Sequence, residues 1–383
     1  MTPQARLQAA IELVDEILAA AREGGAAADT LIARYFKTRR YAGSGDRRAV
    51  RELVFRAVRR AGEPPVSGRA ALLGLEEARP LFDGSPHGPA AIEPGEPVAQ
   101  AGIAPAWLLE RLDPLIGEDE LPALLLRAPL DVRVNRLREA PSLDAEPTPL
   151  STIGLRFPEG TNVEQLTAWR LGQIEVQDEG SQLICLGCGA APGMLALDLC
   201  AGGGGKTLAL AAEMANEGRL VACDTDRGRL SRLPQRAARA GVSIAECRLL
   251  DPGREAEALA DVAGRADLVL VDAPCSGSGT WRRNPETRWR ITPERLGRLT
   301  ALQARLLDIG GTLLRPGGVL VYAVCSLLAE EGRAQAEALT ARSSLVPEPL
   351  AMAIGRSAGS GTLLSPARDG TDGFFVARWR MPC

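Results

Sequence analysis

Apolar residues recur at helical spacing near the start of the chain, where Leu7, Ile11, Val14 and Leu18 fall three or four apart within residues 5–21. Leu31 and Tyr35 repeat the pattern, so a second amphipathic helix is expected. A third is predicted from Asp46, taken as its N-cap, with Val50, Leu53, Val54 and Ala57 on one face and Arg48, Arg56 and Arg59 roughly opposite. Residues 61–105 are rich in Pro, Gly and Ala with weak periodicity and read as a long connection with one short helix. The next stretch predicts helices at Trp107–Leu115 and 119–127, then strands at Val132–Leu137 and Ile174–Val176, a small mixed module. From residue 181 the rhythm becomes strand, loop, helix, with strands expected at 194–199, 219–223, 244–248, 266–271 and 317–323. That alternation predicts an α/β, mostly parallel, doubly wound sheet. The expected domains are a helical part at 1–100, a small α/β, RRM-like module at 101–180 and a Rossmann-like domain at 181–383.

In such sheets ligands lie beyond the carboxyl ends of the strands, so the residues just after each strand carry the chemistry. The first expected strand runs into Cys200-Ala201-Gly202-Gly203-Gly204-Gly205-Lys206 and then an apolar helix. Consecutive glycines let a ligand lie against the backbone, and the helix start offers free N–H groups, which suits an adenine nucleotide or nucleoside. A Walker loop fails on register, because the position five before Gly205 is Cys200 rather than glycine. Asp224, after the next strand, is placed to bind a ribose, a spacing shared by NAD and S-adenosylmethionine folds. GCGAAPG at 187–193 imitates a glycine fingerprint but precedes a strand instead of opening a helix. Strand 266–271 ends in VDAPCSGSGTWRRNP, which brings Asp272 and Cys275 to the ligand edge, and strand 317–323 ends in VYAVCS, which brings Cys325 there. Two thiols at equivalent strand ends exceed what a small buried hydrophobe requires.

Composition narrows the class further. At 383 residues and 45% hydrophobic the chain suffices for one large core and a smaller one. No apolar run approaches the ~18 residues of a membrane span, and the N-terminus lacks a signal pattern, so a cytoplasmic, monomeric protein is expected. Eight cysteines, none before Cys185, suit reduced thiols rather than a disulfide framework. Cys185 and Cys188 form a lone C-x-x-C far from His87, so no metal is expected. Net charge is −3, yet residues 37–60 hold nine basic side chains against two acidic, and residues 281–298 hold six arginines. Only Lys37 and Lys206 are lysines, and a lysine kept inside a glycine loop invites a chemical reason.

The strings LDLCAGGGGKT, VDAPCSGSGTWRRNP and VYAVCS, with VQDEGSQL before and DGTDGFFVARWRM after, resemble the ordered motifs of the NOL/NOP/Sun family, the RsmB-like RNA cytosine-5 methyltransferases. The likeness spans residues 105–381, and RYFKTRRYAGSGDRR nearer the N-terminus is similar as well. It implies a class I methyltransferase fold, S-adenosylmethionine as cofactor and an RNA substrate, ribosomal RNA favoured over transfer RNA. Carried over residue by residue, Cys325 is the nucleophile, Cys275 helps release the product, and Asp272 sits between cofactor and base. Cys200, Ala201, the four glycines, Lys206, Asp224 and Asp251 border the cofactor. RNA contacts are expected from Arg48, Trp281, Arg282, Arg283 and the ring of Trp289. The chemistry needs a thiol: carbon 5 of cytosine becomes nucleophilic only after thiolate addition at carbon 6, and a base must then remove the carbon 5 proton. Two departures stand out. The loop usually reads C-A-A-P-G-G-K, so a stiffening proline is lost at Gly203, and Val324 replaces the usual threonine before the nucleophile. These motivate one alternative, a degenerate methyltransferase fold that only binds RNA. An NAD-dependent oxidoreductase is the other, and it leaves both cysteines unexplained.

Overall fold

The computed structural model describes residues 1–383, which divide into two compact units. The first comprises residues 1–112, 117–127 and 276–293, and the second comprises 113–116, 128–275 and 294–383. No helix is long and apolar enough to cross a membrane.

Helices α1 (Pro3–Glu23), α2 (Ala28–Thr38), α3 (Ser44–Arg60) and α4 (Gly68–Leu73) build the first unit around Leu13, Ile17, Val54, Val58 and Leu72. The helix expected to start on Asp46 starts earlier. Gly43 occupies the N-cap, and Asp46, three residues in, accepts from Gly43 N at 3.1 Å, so its carboxylate satisfies the helix start from inside the first turn. The 61–105 stretch is more than a connection: Leu72, Leu73 and Phe82 join the core through α4 and a 3-10 turn at Glu76–Leu81. Elements this short carry too few turns for periodicity to register. Similarly, the helix expected over Trp107–Leu115 is a single turn at Ala106–Leu109, and 119–127 forms a 3-10 helix at Glu118–Leu125 with Pro122 inside it.

Segment 276–293 belongs to this helical unit although it follows Cys275 in the chain. Glu286 Oε1 accepts from Ala28 N at the start of α2 (3.0 Å), while buried Arg288 donates to the carbonyls of Val58, Arg59 and Ala61 at the end of α3 (2.6, 3.1 and 2.8 Å). Helix ends leave N–H groups unpaired at one terminus and carbonyls at the other, so a carboxylate and a guanidinium are the right groups in the right places.

The second unit holds two sheets. Strands β1 (Leu130–Val134), β2 (Glu146–Pro147), β3 (Gly154–Phe157) and β4 (Ile174–Val176) form an antiparallel sheet in the order β2-β3-β1-β4. The larger sheet has nine strands. Its heart is five parallel strands, β5 (Leu195–Asp198), β6 (Arg219–Asp224), β7 (Ala245–Leu249), β8 (Ala266–Asp272) and β9 (Leu314–Val324), ordered β7-β6-β5-β8-β9. The order reverses at β5, and the crevice at such a switch point is where α/β sheets bind ligands. Beyond β9 the chain adds β10 (Val346–Pro347), β11 (Arg356–Ala358), β12 (Gly361–Leu364) and β13 (Phe374–Arg380), all antiparallel. Strand β13 pairs with β9 and covers what would be an open edge beside Cys325.

Candidate active site

Four strand ends, those of β5, β6, β8 and β9, supply the site at the switch point. From β5 the chain enters the glycine loop and then the helix Gly205–Glu213. Gly204 is obligatory there: its φ is +87°, and an added Cβ would lie 2.2 Å from Leu233 Cδ1. At Gly202 and Gly205 a Cβ would meet nothing within 4 Å, so the loop presents bare backbone to open space. The rigidity forfeited with the proline is recovered by two bonds, Arg236 Nη1 to Gly203 O at 2.6 Å and Gly202 N to Asp224 Oδ2 at 2.7 Å. Arg236 is itself held by Glu175 of β4 at 2.9 Å. Asp224 Oδ1 also accepts from Asp226 N at 2.7 Å, and since a carboxylate offers about four acceptor positions, two remain for a diol. Asp251 is exposed beyond β7. Open glycines, unpaired helix N–H groups and a spare carboxylate edge fit an adenosyl cofactor with a ribose.

Lys206 Nζ meets Asp272 Oδ2 at 2.6 Å, and Lys206 lies 5.9 Å from the centre of the Phe374 ring. Burial pulls the ammonium down, but the Asp272 carboxylate outweighs it and holds lysine above its ordinary value, so the charge persists at neutral pH. That pairing is the chemical reason for the lysine in the loop. Asp272 Oδ1 is left over for a substrate.

Cys275 Sγ and Cys325 Sγ are 3.4 Å apart, each partly exposed, at the ends of the adjacent parallel strands β8 and β9. Cys200, a third thiol nearby, differs in kind: burial pushes it well above the ordinary cysteine range and makes it a poor nucleophile. Val324 is fully buried opposite Phe375 of β13, a position where a threonine hydroxyl would need a partner. Cys185 and Cys188 are buried and free at the end of the helix Glu179–Gly187.

The expected RNA contacts fare differently. Trp281, Arg282 and Trp289, expected near the RNA strand, are buried in the helical unit. An arginine-rich string gives no sign that its members cap helices. Arg283 is partly exposed, and Arg48 is exposed on α3 together with Lys37, Arg40 and Arg47.

Several site residues were not singled out from sequence: Asp198, Thr207, Arg236, Gln303 and Glu331. Asp198 is fully buried, its Oδ2 accepting from Thr207 Oγ1 at 2.7 Å while Oδ1 has no partner. Burial raises its carboxyl to about 7, against the opposing hydrogen bond from Thr207. An unfolded aspartate titrates near ~3.9, so the folded state holds an extra proton between the two values and stability falls as pH rises from about 4 to 7. Asp198→Asn should abolish that slope, leaving the variant on the order of 4 kcal/mol more stable than the parent at pH 8 and nearly equal at pH 4. Denaturant titrations at the two pH values check this, and parallel curves at both would refute it.

Residues 190–380 match the family described as 16S rRNA methyltransferase RsmB/F. A protein named ribosomal RNA small subunit methyltransferase B from Xylella fastidiosa is 36% identical over 301 residues, 74% of this chain and 70% of that one. The protein of the same name from Xanthomonas campestris is 34% identical over 71% of this chain and 65% of its own length. The chain thus spans about two thirds of the length of these relatives. Among solved structures, PH0851 superposes over 99% of both chains with a TM-score of 0.77 at 23% identity, a likeness of fold. A methyltransferase homolog protein from Pyrococcus horikoshii gives a TM-score of 0.61 at 26% identity, over 72% of this chain and 94% of that one.

Proposed function

Because the chain belongs to the family of 16S rRNA methyltransferases RsmB/F, we propose that it transfers a methyl group from S-adenosylmethionine to carbon 5 of a cytosine in small-subunit ribosomal RNA, as a monomer in the cytoplasm. The observation that carries this reading is the pair of thiols 3.4 Å apart beside Asp272, at the carboxyl ends of β8 and β9. When bound, the cofactor supplies an electrophilic methyl sulfonium. Cys325 adds to carbon 6 as thiolate, and its electron pair passes through the ring to make carbon 5 nucleophilic. Asp272, with Oδ1 available, faces the polar edge of the ring. Once carbon 5 carries the methyl group, its proton leaves to a base and Cys325 is expelled, with Cys275 assisting that release. An NAD-dependent oxidoreductase would account for the glycine loop but leave this pair of thiols unexplained. Exposed basic groups of α2 and α3, including Arg48, supply phosphate contacts, together with Arg283.

Asp224 is assigned the cofactor ribose and Asp251 the neighbourhood of its adenine. Asp224→Ala should weaken S-adenosylmethionine binding by about 1.5–3 kcal/mol, the loss of charge-assisted hydrogen bonds together with the tether on Gly202. Titration calorimetry reads this directly, and unchanged affinity or a preference for NAD would reject the assignment. The function is tested by incubating small-subunit ribosomal RNA with the protein and labelled cofactor, then mapping 5-methylcytosine with bisulfite. Cofactor binding without any modified cytosine would leave an RNA-binding protein.

A further inference from the structure

Register between β8 and β9 ends at the pair Asp272 and Ala323, so past that point the ladder no longer sets the spacing of the two thiols. A buried chain of side-chain hydrogen bonds takes over. Gln303, on the helix Pro293–Leu313, donates through Nε2 to Pro274 O at 2.9 Å and to Glu331 Oε1 at 3.0 Å. Glu331 accepts at Oε2 from Ser326 Oγ at 2.6 Å, and its backbone carbonyl accepts from Tyr322 OH at 2.6 Å. Pro274 immediately precedes Cys275, and Ser326 immediately follows Cys325. Gln303, Tyr322, Ser326 and Glu331 are all wholly buried. Apolar side chains of equal volume would pack the same space at less cost, because a buried carboxyl and amide forgo hydration, so a geometric role is the reason to look for here.

We propose that Gln303 and Glu331 are positioning residues that clamp the Cys275 and Cys325 loops together and so set the separation of the thiols. The clamp touches neither cofactor nor base. It takes over the orientation of Cys325 that Val324, lacking a hydroxyl, does not provide by hydrogen bonding. Its catalytic meaning rests on the methyltransferase reading above, whereas its geometric meaning does not.

The test therefore has two arms, applied to the full chain. In the first, diamide oxidises the thiols: each sulfur gives up its hydrogen, one sulfur–sulfur bond forms, and the reagent is reduced to its hydrazine. The rate of the Cys275–Cys325 link is followed by peptide mapping. Gln303→Leu keeps the volume and removes the bonds, and should slow that rate about tenfold or more if a displacement near 1 Å results, with circular dichroism unchanged. Should that variant fail to fold, Ser326→Ala removes the bond to Glu331, together with the one that Ser326 Oγ accepts from Leu328 N, and must slow the link in the same direction. A parental rate in the folded variants overturns the proposal. In the second arm, Gln303→Leu incubated with ribosomal RNA and cofactor should accumulate RNA bound through Cys325 on a denaturing gel, because release suffers more than addition. Uniformly reduced turnover without that adduct overturns the catalytic role. If the parent itself modifies no cytosine, the proposed function falls while the oxidation arm still decides the clamp.

Discussion

Cys325→Ala should abolish methyl transfer, by at least about four orders of magnitude as for the loss of other covalent nucleophiles, while leaving S-adenosylmethionine affinity unchanged. Without a thiolate at carbon 6 the ring is never activated, yet the loop Gly202–Lys206 and Asp224 that fit the cofactor belong to β5 and β6, away from β9. Cys275→Ala should behave differently. Addition and methylation proceed, but with no second thiol at 3.4 Å the adduct persists, so RNA should stay attached to the protein on a denaturing gel. The double variant should lose that band. A trapped complex in Cys325→Ala instead would exchange the two roles, and the absence of an adduct in every variant would favour a protein that binds RNA without modifying it.

Asp272→Ala should be destabilising as well as inactive. Lys206 has only 12% of its side chain exposed, and its partner at 2.6 Å is Asp272. Removing the carboxylate strands an ammonium in a poorly hydrated place, which costs about 3 kcal/mol, the lower end for a broken buried pair. Adding Lys206→Met should recover most of that stability, because an apolar stem beside Phe374 needs no counter-charge, while activity stays lost. Urea titration of both single variants and the double measures the coupling. If Asp272→Ala unfolds at the parental midpoint, the ammonium has found another anion or water, and the pair does not anchor the glycine loop.

Local sequence carried much of this molecule. Four of the five parallel strands are buried and read as apolar runs bounded by turn residues, and the carboxyl ends of all five had to meet at one edge whatever the neighbouring elements did. Cys200–Lys206, Asp224, Asp272, Cys275 and Cys325 were therefore visible as a group, because each lies at the end of a strand or in the loop just past it. The antiparallel strands β10–β13 were harder to see. Three of them have two to four residues, too few for a period of two to stand out.

What the chain by itself determined is the order of its elements and the chemistry hung on strand ends, since those depend on neighbours a few residues apart. Tertiary structure alone decided the rest. Glu286 reaches the start of α2 across 258 residues, and Arg288 the end of α3 across 230, so these two members of a string that reads as a basic RNA-binding loop are buried as helix caps. Burial also raised Asp198 and paired Lys206 with Asp272. The clamp of Gln303, Glu331 and Ser326 came from the same source. Hydration, hydrogen-bond satisfaction and charge pairing are properties of the folded surroundings, and distant segments supply those surroundings only once the sheet and its covering helices have closed.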